Sequence, residues 1–156
     1  MKAVIQRVKE AAVDVDGKTV GKIGRGFMIL FGAEKGDTEA DAVLLAEKIV
    51  KLRIFSDENG KMNLSLSDVG GEVLAVSNFT LCADYRHGNR PDYMMAEAPD
   101  RANELYEYFK KLIAARLGED KVQSGIFGAD MAVSLVNDGP VTIVMEAEML
   151  KKPKNG

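Results

Sequence analysis

Asn137-Asp138-Gly139-Pro140 interrupts an otherwise β-like run, with Ser134-Leu135-Val136 before it and Val141-Thr142-Ile143-Val144 after it. All four residues favour turns, so the plain expectation is a loop between two strands. The order Gly then Pro adds a second possibility. An X-Pro amide keeps only about 0.5–1 kcal/mol of trans preference, and Gly adds no side-chain clash. Such a pair can hold its carbonyls in orientations that few dipeptides reach. A cis pair directed into a cleft would offer those carbonyls as fixed acceptors for a ligand's ammonium group. The rest of the chain has to supply the cleft.

β-like alternation dominates that remainder. Residues 2–8 and 11–16 alternate apolar and polar side chains, and Asp16-Gly17-Lys18 is a hairpin-type turn. Residues 19–23 and 26–32 continue the pattern. Gly26-Phe27-Met28-Ile29-Leu30-Phe31-Gly32 is apolar throughout, as expected of a strand buried on both faces. Gly21, Gly24 and Gly26 do not have the dinucleotide-binding spacing and read as bends and bulges. Residues 62–66, 73–76 (running into Ser77-Asn78-Phe79-Thr80-Leu81), 122–124, 132–136 and 141–147 are β-like as well.

Two segments have helical spacing. The first begins at Thr38 with Asp41 as an approximate capping box, buries Ala42, Leu45, Ala46, Ile49 and Leu52, and is expected to end near Arg53. The second opens at Pro99-Asp100, buries Ala102, Leu105, Tyr106, Phe109, Leu112 and Ile113, and stops at Gly118. Residues 82–98 lack periodicity, and so long a loop is usually functional or mobile. Because the β segments cluster rather than alternate with helices, the class expected is α+β, with mainly antiparallel sheets and two amphipathic helices. The expected organisation is one domain over 1–147, followed by a basic, flexible tail at 148–156.

Composition narrows the function. A net charge of −3 argues against a protein that coats nucleic acid, though not against one that grips an RNA end through a local cluster. Candidates for such a cluster are Arg86, His87 and Arg90, and the tail lysines Lys151, Lys152 and Lys154. The single Cys82 rules out an internal disulfide framework and fits a reducing, cytoplasmic setting, and no apolar run approaches a membrane span. One His and one Cys leave no Cys/His zinc site. The phosphate-binding loop and the nucleophile elbow are both missing, and a Ser-His-Asp triad would have to recruit His87. What survives is chemistry by backbone groups. A strand ending in Ser77-Asn78-Phe79-Thr80 could present two amides to an oxyanion, or could simply be a strand end whose Ser and Thr bond locally.

Several stretches together resemble the bacterial-type D-aminoacyl-tRNA deacylase family. They are Ile5-Gln6-Arg7-Val8, Arg53-Ile54-Phe55-Ser56-Asp57, Gly60-Lys61-Met62-Asn63-Leu64, Ser77-Asn78-Phe79-Thr80-Leu81, Arg90-Pro91, Ala129-Asp130-Met131 and Leu135-Val136-Asn137-Asp138-Gly139-Pro140-Val141-Thr142. The resemblance spans roughly residues 1–147. It implies a barrel-like fold and a metal-free, cofactor-free homodimeric hydrolase acting on the aminoacyl-tRNA 3′ end. Its reaction would be chiral proofreading: D-aminoacyl and glycyl esters are cleaved and L-esters rejected. By resemblance, Gly139 and Pro140 of one subunit reach into the other's pocket, capture the substrate amino group and exclude an L side chain. Arg7 braces that pair. The Phe79 and Thr80 amides form the oxyanion site, with Ser77 and the Thr80 hydroxyl close by, and Phe127, Met131 and Ala102 line the adenine site. The terminal ribose 2′-hydroxyl replaces a protein base. Asn78 departs from the family's usual Gln, and Asp92-Tyr93 after Arg90-Pro91 departs from its usual small residue and Phe, in a loop expected to be peripheral. Alternatives are a relative that binds without turnover, an unrelated small-ester hydrolase, and a structural dimer module.

Overall fold

The computed structural model describes residues 1–153, so Lys154 lies outside the described residues. Two hydrophobic layers organise the chain around one coiled sheet. Its strands are β1 (Lys2–Val15), β2 (Lys18–Ile23), β3 (Gly26–Gly32), β6 (Glu72–Ser77), β7 (Val122–Ser124) and β8 (Ala132–Glu146). A hairpin of β4 (Phe55–Ser56) and β5 (Met62–Leu64) stands apart. The order is β2-β1-β3-β6-β7, with β8 on β1. β2 and β7 nearly close the barrel: a Cβ on Gly21 would sit 2.8 Å from the Ser124 carbonyl oxygen, so only glycine permits the approach.

Most pairings are antiparallel, as expected (β1 with β2, β3 and β8, and β4 with β5), but the sheet is mixed rather than purely antiparallel. β3–β6 and β6–β7 are parallel. Parallel neighbours need long crossovers; α1 (Glu39–Val50) lies in the first and α3 (Pro99–Leu117) in the second. The apparent clustering of β segments arose because the 55–64 hairpin fills the first crossover beside its helix.

β3 is buried on both sides, as its unbroken apolar run predicts. Phe27, Ile29 and Phe31 face the core beneath α1 and α3, joining Leu45, Ile49, Leu105, Tyr106 and Phe109. Met28 belongs to the barrel interior with Val8, Val13, Leu74 and Val76. The Tyr106 hydroxyl donates to the Ala75 carbonyl at 2.7 Å, tying α3 to the middle of β6.

Thr38 is the N-cap of α1, and its backbone N–H donates to the Asp41 carboxylate at 2.8 Å. The helix ends at Val50, short of the expected Arg53, leaving the Ile54 carbonyl free to accept a side chain. Beyond the two expected helices there are two short ones. α2 (Leu66–Val69) is capped by Ser65. α4 (Ala147–Lys151) opens what was expected to be a flexible tail; Lys151 Nζ lies 2.7 Å from the Asp41 carboxylate on α1. Among the described residues no helix is long and apolar enough to cross a membrane.

β8 is a single strand rather than two strands and a loop. Val8 pairs with Asn137 and Gln6 with Thr142, so the four residues Asp138 to Val141 bulge out opposite the single Arg7. β1 keeps its pairing with β8 on both sides of the excursion.

Candidate active site

The chain leaves β6 at Ser77 and makes one 3₁₀ turn, Phe79–Cys82, where the strand was expected to end. Asn78 is extended, and its N–H donates to the Phe31 carbonyl at 2.7 Å. The Leu81 N–H returns to the Asn78 carbonyl, and the Ala83 N–H to that of Thr80. The Phe79 and Thr80 amides, first in the turn, have no acceptor among the described residues, as happens to the leading donors of any helical turn. Two neighbouring N–H groups are thereby left for a ligand.

A cavity of about 720 Å³ opens beside the turn. It is lined by Ser77, Asn78 and Phe79, by Leu30 of β3 and Val76 of β6, by Ala98 and Ala102 at the start of α3, and by Phe127, Met131 and Val133. The lining is mostly apolar, and among the described residues its only charged members are Lys35 and Glu97. A concave apolar site with a few polar groups suits a nucleoside-sized ligand. Tyr93 completes the rim with its ring 5.0 Å from that of Phe79, edge to face. The resemblance marked Tyr93 only as a departure in a loop expected to be peripheral, and its place on the rim corrects that expectation. What brings it here is the Asp84–Asp92 bridge, which folds the loop back on itself.

The Thr80 hydroxyl donates to the Asn78 side-chain oxygen. Its partner is thus a neutral amide, which cannot activate it as a nucleophile. Cys82 is buried, with Sγ 3.4 Å from the Ala33 carbonyl oxygen, and burial pushes its thiol up to about 11, far from a reactive thiolate. His87 is exposed on the loop and does not line the cavity, so no serine triad is assembled around it. Of the proposed basic cluster, Arg86 is engaged by Asp84; its hydrogen bonds hold that exposed carboxyl down at about 2.

The other candidate residues gather elsewhere. The Gly139-Pro140 peptide bond is cis. Both residues are exposed at the tip of the β8 excursion. Arg7 is 8% exposed; its Nε donates to the Asp138 carbonyl at 2.9 Å and its Nη1 to the Ile54 carbonyl at 2.7 Å. Gly139 has φ +136°, and a Cβ there would lie 2.8 Å from Val141 Cγ2 and 3.2 Å from Arg7 Nη2. A side chain would therefore clash as well as strain the backbone. Ser77, Asn78, Phe79, Ala102, Phe127 and Met131 meet at the cavity with Thr80 beside them, whereas Arg7, Gly139 and Pro140 do not line it. Arg7 pairs with Phe27, three positions along β3 from the nearest cavity residue on that strand, Leu30, about 10 Å at 3.3 Å per residue.

The fold that carries this cavity and tip has counterparts among solved structures. A solved structure titled "c-Myc DNA Unwinding Element Binding Protein" superposes with a TM-score of 0.89 at 40% identity, covering 94% of this chain and 98% of that one. A second, titled as a probable eukaryotic D-amino acid tRNA deacylase, shares the fold at TM-score 0.79 and 18% identity over 93% of this chain and 98% of its own. The family described as D-Tyr-tRNA(Tyr) deacylase matches residues 4–146, and the chain belongs to it. A D-aminoacyl-tRNA deacylase of Geotalea daltonii is 59% identical, covering 94% of this chain and 96% of that protein. One of Thermosipho africanus is 56% identical over 95% and 98%.

Proposed function

We propose that this protein hydrolyses the ester joining a D-amino acid to the 3′ end of tRNA, releases both, accepts glycyl esters on non-cognate tRNA, and spares L-aminoacyl esters. Membership of the deacylase family supports the reaction. The observation that carries the chemistry is the pair of unpartnered amides at Phe79 and Thr80 on the rim of a nucleoside-sized apolar cavity.

In this reading the terminal adenine lies against Phe127, Met131 and Ala102. Water attacks the ester carbonyl, the two amides hold the oxyanion, and the terminal 2′-hydroxyl takes the place of a protein base. One such donor is worth roughly 10²–10³ in rate. An aminoacyl ester is already activated, so orientation and oxyanion stabilisation suffice without a metal or a titrating side chain. The tip belongs to the cavity of a second copy in a homodimer, where its carbonyls accept the substrate ammonium group and its bulk excludes an L side chain. Three features support that arrangement: the tip is exposed, it lies away from its own chain's cavity, and β8 leaves Val136 and Val144 exposed beside it. The DNA-binding title of one structural neighbour finds no counterpart in a net charge of −3.

The test is deacylation of matched D- and L-tyrosyl-tRNA by purified protein in the presence of a chelator. Loss of the D-ester alone is expected. Equal loss of both esters, or of neither, contradicts the proposal.

A further inference from the structure

The excursion in β8 is held by two devices, and only one of them is Arg7. Asn137 and Thr142 are the residues at which pairing with β1 stops and resumes. Across that neck the Asn137 Nδ2 donates to the Thr142 hydroxyl at 3.0 Å. The other end of the same amide faces inward, and its Oδ1 accepts the Val141 N–H, also at 3.0 Å. Pro140 has no N–H, so Val141 carries the first backbone donor after the tip, and the bulge has removed it from the ladder. Asn137 thus replaces the missing ladder bond with one hand and closes the neck with the other. Arg7 grips the loop from beneath, through the Asp138 carbonyl on its entering side.

We infer that Asn137, with Thr142, is a positioning residue for the Gly139-Pro140 tip. It fixes the leaving side of the loop as Arg7 fixes the entering side. The inference rests on the reading of the tip as the element that excludes L-esters. Exclusion by shape fails when the excluding group can move, whereas D-ester cleavage draws on the Phe79 and Thr80 amides, which Asn137 does not touch. Loosening the brace therefore erodes selectivity more than rate.

Two readouts test this, one independent of activity. In Asn137→Ala the Val141 amide should exchange its hydrogen at least about tenfold faster than in the unsubstituted protein. The ratio of D- to L-tyrosyl-tRNA cleavage should fall at least about tenfold, with the larger part in faster L-ester loss. Asn137→Asp keeps acceptors for both the Val141 N–H and the Thr142 hydroxyl and should restore both quantities. Thr142→Val removes only the neck bond and should fall between. Unchanged Val141 exchange in Asn137→Ala would overturn the brace, whatever the activity. Faster exchange with unaltered selectivity would overturn its role in discrimination. If the unsubstituted protein cleaved neither ester, the functional reading and the selectivity clause would fail together, and Val141 exchange alone would still decide the brace.

Discussion

At the scale of single residues, the proposed function gives the chemistry to main-chain atoms and leaves support to side chains. The Thr80 hydroxyl orders Asn78 and has no base beside it, so Thr80→Ala keeps both amides and removes only that bond. Deacylation should slow by about three- to tenfold while stability changes by no more than about 0.5 kcal/mol, as for other exposed substitutions. Single-turnover kinetics and a thermal melt check both; a loss above a thousandfold would make the hydroxyl a reacting group. Ser77-Asn78-Phe79-Thr80 and Gly139-Pro140 were singled out in advance as local patterns, but the cis bond and the two free amides emerge only from the folded chain. The role of Asn137 was not foreseen, and Tyr93 was marked only as a departure in a loop expected to be peripheral. Their roles depend on which distant or bulged segment they meet, and an isolated Tyr or Asn carries no trace of that.

At the scale of elements, capping and burial explain most of what the sequence foretold. Thr38 and Asp41 start α1, Pro99 starts α3, and the unbroken apolar run of β3 is buried on both faces. Strand direction was less legible, because alternation within a strand is the same for parallel and antiparallel neighbours. Only the helices lodged in the crossovers distinguish them. Likewise, Asp138 to Val141 have turn composition yet remain within one strand, because β1 pairs on either side. Asp41 also ties α1 to α4. Burial pulls its carboxyl upward, but hydrogen bonds from Lys151 and Thr38 outweigh burial and leave it below its ordinary value. A carboxyl depressed on folding adds stability that is fully present above its unfolded pKa, about 3.9, and is lost as pH falls through the folded value. The thermal midpoint should therefore drop between pH 7 and pH 3. Asp41→Asn should cost about 1–2 kcal/mol at pH 7 and reduce that drop. Equal acid sensitivity in the two proteins would remove Asp41 from the account.

At the scale of the whole molecule, the cavity and the tip are separate features of one chain, and each is incomplete alone. The cavity has donors for an oxyanion and an apolar bed for a nucleoside, but nothing in it reads handedness. The tip is rigid and exposed, with no cleft of its own. In the proposed two-fold dimer the tip of each subunit is part of the other's site, so each kind of damage can be placed in a different subunit. Ala102→Trp fills the cavity from the start of α3. Gly139→Ala drives a Cβ into Val141 and Arg7 and distorts the tip. Each variant alone should be at least about a hundredfold less active on D-tyrosyl-tRNA than the unsubstituted protein, while melting cooperatively. The decisive measurement is the activity of the two variants after their subunits have exchanged. Random reassortment makes half the dimers mixed, each with one intact cavity facing one intact tip, so activity should return to about a quarter of that of the unsubstituted protein. Activity that stays at the level of the separate variants after verified exchange would contradict a site shared between two chains.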